Sequence, residues 1–251
     1  MIAGLVIGKE KSIGYPGKNT LSVLGRPMVE YAFLAAANCR LVEKIFTSTD
    51  SAAIAEVGNR FGAELIERPP ELATPDALTE DALIHAFDEM QSRQSENIDI
   101  VVLLFANSPT IRVELINEGI DRLIDDETLD SAFSVCKYNM WSPVRARGVD
   151  ENNLIQPYVD LDLLGEKSRI SSIRGAEGDC YYCDLSVQIM RDRCFTNMDE
   201  GALPFKWMGR KSYALINDYG FDVDFGWQVA VIEHWLVENG FSDTATPYDN
   251  N

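Results

Sequence analysis

The chain has 251 residues, 46% hydrophobic and 25% charged, which suits a globular protein and excludes disordered, collagen-like and disulfide-scaffold classes. Its 40 acidic against 22 basic side chains exclude a broad basic face for nucleic acid. No apolar run reaches the roughly eighteen residues of a membrane span, nothing in MIAGLVIGKEKS reads as a signal peptide, and five cysteines predict reduced thiols in the cytoplasm.

Short apolar runs alternate with helical patterns, as in βαβ units. A first strand over 2–7 is apolar throughout, like a strand covered on both faces. A loop rich in Gly and Lys follows, then a helix opening at Pro27 with Met28, Tyr31, Leu34 and Ala35 as its apolar stripe. The second strand falls at about 42–48, with Asp50 predicted to cap a helix over 51–61. A short strand at 64–67 is stopped by Arg68-Pro69-Pro70. A helix over 80–93 leads to the most apolar strand, 99–105; a helix near 113–125 and a strand at 130–136 follow. The predicted fold is α/β, a doubly wound, mostly parallel sheet, whose ligands bind outside the strand carboxyl ends at the switch in strand order. Loops 8–19, 68–79 and 106–112 all leave such ends.

From 138 to 180 the periodicity weakens, predicting an inserted arm with a turn at Asp150–Asn153 within a single 1–251 domain. Such an arm is expected to pack against a second copy in a homodimer. Regular structure resumes at 181–190 and ends in a helix over 226–239 closed by Gly240, with the last ten residues read as a frayed tail.

Three groups of residues point to chemistry. The loop Gly8 to Asn19 offers Lys9, Lys11 and Lys18 as charges, Ser12 as a hydroxyl, and Gly14 and Gly17 for positive φ angles in a backbone anion cradle. It is neither a Walker loop nor GxGxxG. The first 47 residues hold Lys9, Lys11, Lys18, Arg26, Arg40 and Lys44 against Glu10, Glu30 and Glu43, a basic island on an acidic chain and so a localised anion site. In Asp222-Val223-Asp224, an extended backbone puts both carboxylates on one face, either around a Mg²⁺ ion or as a cap of the following helix. Arg68 is placed to clamp an anion or to pair with Glu67 or Glu71, and Asn107 and Ser108 to read a ligand's polar edge or to turn the chain into Pro109. Cys180 and Cys183 lack a second ligand pair for zinc, and His85 and His234 read as packed side chains.

Taken together the chain resembles the cytidylyltransferases that activate sialic and related nonulosonic acids. The resemblance runs through Gly8-Lys9-Glu10-Lys11-Ser12-Ile13-Gly14-Tyr15-Pro16-Gly17-Lys18-Asn19, Leu24-Gly25-Arg26-Pro27-Met28, Ser48-Thr49-Asp50, Arg68-Pro69, Ser108-Pro109 and Asp222-Val223-Asp224. It departs at Ile13, where the family has a lysine, and at Phe105, where the family has a polar side chain. The resemblance implies transfer of CMP from CTP to a 2-keto sugar acid with Mg²⁺ as cofactor. It implies that Lys9, Lys11, Ser12, Lys18, Asn19 and Arg68 hold the nucleotide, Asn107 and Ser108 the sugar acid, Asp222 and Asp224 the metal, with Lys18 and Asp224 catalytic. A sister enzyme for another sugar or base, such as Kdo, and an inactive nucleotide- or sugar-binding relative stay open.

Overall fold

The computed structural model describes residues 1–11, 14–164 and 170–249. Its strands are β1 (Ile2–Ile7), β2 (Ser22–Val23), β3 (Arg26–Pro27), β4 (Lys44–Thr49), β5 (Glu64–Glu67), β6 (Ile100–Phe105), β7 (Ser131–Lys137), β8 (Arg147–Val149), β9 (Ile155–Pro157), β10 (Tyr181–Arg191) and β11 (Ser212–Asn217). The helices are α1 (Glu30–Ala37), α2 (Ala52–Arg60), α3 (Thr79–Ser92), α4 (Val113–Asp125), α5 (Arg193–Thr196) and α6 (Gln228–Glu238). Seven strands form one sheet in the order β11-β7-β10-β6-β1-β4-β5, and every strand but β10 runs the same way.

The apolar composition of β1 and β6 follows from their central position. Ala3, Leu5 and Val6 of β1 and Val101 to Leu104 of β6 are buried, because helices cover both faces. Phe33, Ile54, Ile116 and Ile120 from α1, α2 and α4 fill one side, and Leu83, Phe87 and Phe195 from α3 and α5 the other. The doubly wound sheet expected from the sequence is therefore present. After β5 the chain crosses back over β1 to form β6, so the strand order reverses between β1 and β6 and a crevice opens at their C-terminal ends.

The arm explains the one antiparallel strand. The chain leaves β7 at its C-terminal end, makes the β8/β9 hairpin across the expected turn at 150–153, and re-enters the sheet from the same edge. A strand entering there runs against its neighbours. The base of the arm consequently stands on the same edge as the crevice.

Three local expectations are corrected. Pro27 does not open a helix: Leu24 and Gly25, with φ of 43° and 74°, close a two-residue turn that folds β3 onto β2, and α1 starts three residues later. Asp50 does not cap α2, which begins after Ser51; its carboxylate accepts the Glu10 N–H at 2.8 Å. The tail is not frayed as far as 249. Asp249 accepts from the Thr246 N–H and hydroxyl at 2.6 and 2.8 Å, and the Tyr248 ring packs edge-on to Phe241.

Candidate active site

The loop after β1 closes on itself. Asn19 Nδ2 donates to the Lys9 carbonyl at 2.8 Å, and Gly17, with φ of 75°, turns the chain into the short 3₁₀ segment that carries Lys18 and Asn19. Only glycine takes that conformation without strain. At Gly14 a Cβ would stand 3.2 Å from the Asp224 carbonyl oxygen, so a side chain there would crowd the carboxylate segment. The loop and the carboxylate segment thus touch backbone to backbone. Asn19 is buried, and its Oδ1 has no partner, an acceptor left open to a ligand's N–H or O–H.

The carboxylate segment is pinned from both ends. The Val223 N–H donates to the Asn107 carbonyl at 2.8 Å, and Asn107 Nδ2 donates to Asp222 Oδ2 at 3.2 Å and to the Val223 carbonyl at 3.3 Å. Val223 is buried while Asp222 and Asp224 flank it on the opposite side, as alternation along an extended chain requires. Downstream, Gln228 Oε1 accepts the N–H groups of Asp224 and Phe225 at 2.6 and 2.7 Å and fixes the start of α6 to the site. The helix-cap reading of the aspartates is set aside because α6 starts after Trp227, and no side chain caps it.

Lys18 completes the cluster. Only 8% of it is exposed, and its Nζ lies 2.5 Å from Asp224 Oδ1. Burial, and then the neighbouring Asp224 charge, push the Asp222 carboxyl above the usual carboxylate range, with Lys18 and the Asn107 amide opposing. Lys18, Asn107, Asp222 and Asp224 come from three loops, up to 206 residues apart in sequence, and form one hydrogen-bonded group at the β1/β6 crevice.

The other expected residues are distributed around this group. Lys9 reaches over to the loop after β5, its Nζ donating to the Thr74 carbonyl at 3.1 Å, and Lys11 is exposed. Ser12 lies outside the described residues. Arg68 pairs with neither Glu67 nor Glu71: it is buried, with Nη2 donating to the Ser48 carbonyl at 2.9 Å and Nε to the Ser48 hydroxyl at 3.4 Å. Burial lowers its pKa, and the nearby Asp50 charge opposes that shift only in part. Ser108 does not face the crevice; it is 1% exposed and donates to the Ser186 hydroxyl at 3.4 Å, supporting the loop from behind. His234, expected in the interior, is exposed on α6, while His85 is half-buried with Nδ1 unpartnered.

Two features escaped the sequence reading. Gln228 is one; a Gln four residues after an Asp at a helix start is its only signal. The other is Asp184, 1% exposed, which accepts from the Ser134 hydroxyl, the Cys136 thiol at 3.0 Å, the Asn217 amide at 2.9 Å and the Ser186 N–H at 2.9 Å. It underlies a cavity of about 1500 Å³ lined by Arg112, Tyr182, Asn217, Tyr219, Phe221 and Trp235, next to the carboxylate segment at Phe221. The Asn217 Oδ1 is buried there without a partner.

A doubly wound sheet whose strand order switches at a crevice, with a lysine-bearing loop and a carboxylate pair on its rim, is the layout of the α/β nucleotidyltransferase fold. The sequence pattern of the cytidylyltransferase family matches residues 3–197, and the chain belongs to that family. It is 29% identical over 149 residues to N-acylneuraminate cytidylyltransferase A of Danio rerio, which covers 59% of this chain but 33% of the fish protein. It is 28% identical over 200 residues to the CMP-N,N'-diacetyllegionaminic acid synthase of Legionella pneumophila, with 77% of this chain and 82% of that one covered. The chain thus spans a third of the fish relative's length. The fold is similar to that of a CMP:2-keto-3-deoxy-manno-octonic acid synthetase solved with CTP, with a TM-score of 0.66 at 16% identity, over 94% of this chain and 98% of that one.

Proposed function

We propose that the protein transfers CMP from CTP to a 2-keto sugar acid of the sialic or nonulosonic type, releasing pyrophosphate. The observation that carries this reading is the joining of Lys18, Asn107, Asp222 and Asp224 beside the Gly8–Asn19 loop. The relatives' names, an N-acylneuraminate and a legionaminic acid enzyme, support the substrate class.

In this reading Lys9, Lys11, Ser12, Lys18 and Asn19 hold the nucleotide, and Arg68 lends a buried positive charge to the same side. Asp222 and Asp224 hold a divalent cation. Two oxygen ligands suit Mg²⁺, which takes one or two carboxylates and fills its shell with phosphate oxygens and water. Among the described residues no third His, Cys, Asp or Glu gathers with them. Bound Mg²⁺ neutralises charge on the phosphates. The acceptor's anomeric hydroxyl oxygen bonds to the α-phosphorus and releases its proton to water, while the bond from the α-phosphorus to the bridging oxygen breaks and pyrophosphate leaves. The protein's share is positioning and electrostatics: Lys18 faces the developing charge, Asn107 fixes the Asp222 carboxylate, and the loop keeps the phosphates off water. The sugar acid enters from the cavity side, where Arg112 offers a cation and Asn217 an open acceptor.

The arm carries the dimer proposal. Its hairpin exposes Val149, Leu154, Ile155 and Tyr158, and a two-stranded ribbon with bare apolar side chains gains by being covered. Among the described residues no helix is long and apolar enough to cross a membrane. The five free cysteines suit the reducing cytoplasm we assign to it.

The test is pyrophosphate release with Mg²⁺, each of the four nucleoside triphosphates and a panel of 2-keto sugar acids. Release with CTP and a nonulosonic acid is expected; release with another triphosphate changes the base. Silence with nucleotide still bound favours a non-catalytic relative.

A further inference from the structure

We propose that Lys18 is a built-in counter-cation: its ammonium occupies the Asp224 carboxylate until a triphosphate draws it away, so that the aspartate pair takes a divalent cation only together with nucleotide. The inference rests on the functional reading above and adds an order of events to it.

The geometry sets up a choice of partners for one group. Lys18 is buried along its stem, and its Nζ meets Asp224 Oδ1 at 2.5 Å. Asp222 is committed elsewhere, to the Asn107 amide, and faces Lys18 only through space. The Asp224 side chain is 49% exposed, open to an ion arriving from solvent. The contact of Gly14 with the Asp224 backbone holds the lysine loop and the carboxylate segment at this spacing. A divalent cation approaching Asp224 therefore meets an ammonium already seated on the ligand it needs, and like charges at such range repel. A triphosphate in the loop offers the three Nζ donors a set of more highly charged oxygens. Because the Asp224 end of the pair is half-exposed, water solvates the freed carboxylate, and giving up the pair costs less than for a pair buried at both ends. Once the ammonium turns to phosphate, Asp224 is free. By linkage, whatever factor nucleotide adds to metal affinity, metal adds to nucleotide affinity.

Two binding measurements test this without turnover. Calorimetric titration with CTP in EDTA compares wild type, Asp224→Asn and Asp222→Asn. Both variants remove one negative charge near the phosphates, but only Asp224→Asn frees Lys18. We expect metal-free CTP to bind Asp224→Asn about tenfold tighter than wild type, and Asp222→Asn to gain less than about threefold. Equal gains in the two variants overturn the proposal. Titration with Mn²⁺ in the absence of nucleotide, read by electron paramagnetic resonance, then compares Lys18→Met with wild type and Lys18→Arg. Affinity at least about tenfold higher in Lys18→Met alone is expected; identical binding in all three overturns it. If Lys18→Met fails to fold, the aspartate comparison, which keeps Lys18, decides alone. A wild-type chain that binds no CTP with or without metal refutes the functional reading itself, and the counter-cation role with it.

Discussion

Replacing Asn107 with Ala removes the side-chain donor that reaches Asp222 while sparing the main-chain link that docks the segment. The lost contacts are Nδ2 to Asp222 Oδ2 at 3.2 Å and to the Val223 carbonyl at 3.3 Å; the Val223 N–H to Asn107 carbonyl bond at 2.8 Å survives, being backbone to backbone. A hydrogen bond to a charged group contributes about 1.5–3 kcal/mol, and both lengths here place it at the lower end, about 1.5 kcal/mol. That corresponds to about a tenfold fall in kcat/KM if the carboxylate must be fixed for turnover. Asp222 already titrates high because it is buried and next to Asp224, and the amide is one of the groups holding it down. Losing it moves the acid limb of the pH–rate profile to higher pH. The sign for stability agrees: a carboxyl whose folded pKa is raised stabilises the fold most at acid pH, and that contribution fades as pH rises through the folded value. Asn107→Ala is therefore expected to lose more stability at neutral than at acid pH, by about 1–2 kcal/mol or a few degrees in Tm. Pyrophosphate release across the acid limb into neutral pH, and thermal melts at acid and at neutral pH, supply the readings. Activity within twofold of wild type with an unmoved acid limb refutes the assigned role of Asn107.

Other substitutions separate support from chemistry. Arg68→Met takes from the Ser48 carbonyl the shorter of its two donors, leaving the Gly8 N–H at 3.4 Å, and removes a buried cation; it is expected to weaken CTP binding about tenfold by calorimetry. Gly17→Ala forces a Cβ onto a φ of 75° and costs about 1 kcal/mol, seen as a lower urea midpoint and a raised KM for CTP with the sugar-acid KM unchanged. Asp184→Ala strips the acceptor from Ser134, Cys136 and Asn217 at once and is expected to lower stability by about 3–5 kcal/mol in urea titrations. Ile155→Glu on the exposed arm hairpin is expected to turn a dimer into a monomer by light scattering without lowering the melting temperature of the monomer.

How much of this was legible in the sequence depends on how local each signal is. Strands β1 and β6 are runs of apolar residues buried on both faces, and the extent of α4 matches its 113–125 pattern because its Val113, Ile116, Ile120 and Leu123 repeat at helical spacing. Strand β11 was missed: Ser212–Asn217 lies at the sheet edge, mixes exposed and buried positions, and has no run to mark it. The lysine loop and the Asp-Val-Asp segment each carried a chemical signal, but their union across 206 residues did not. Nothing in the order of residues says that Lys18 ends on Asp224 rather than Asp222, because Asn107 settles that choice from a third loop. Arg68 illustrates the same limit. Glu67 and Glu71 are its sequence neighbours, yet strand pairing carries it to Ser48 on β4. Asp184 reads as an ordinary charged residue until the bulge in β10 turns it inward among hydroxyl, thiol and amide donors.

The most direct test of the central claim is ³¹P NMR of CTP incubated with the protein, Mg²⁺ and a nonulosonic acid. The account predicts loss of the α-phosphorus signal of CTP with matched growth of a phosphodiester resonance and of pyrophosphate. Unchanged CTP across the sugar-acid panel, or breakdown to CDP and inorganic phosphate, contradicts it.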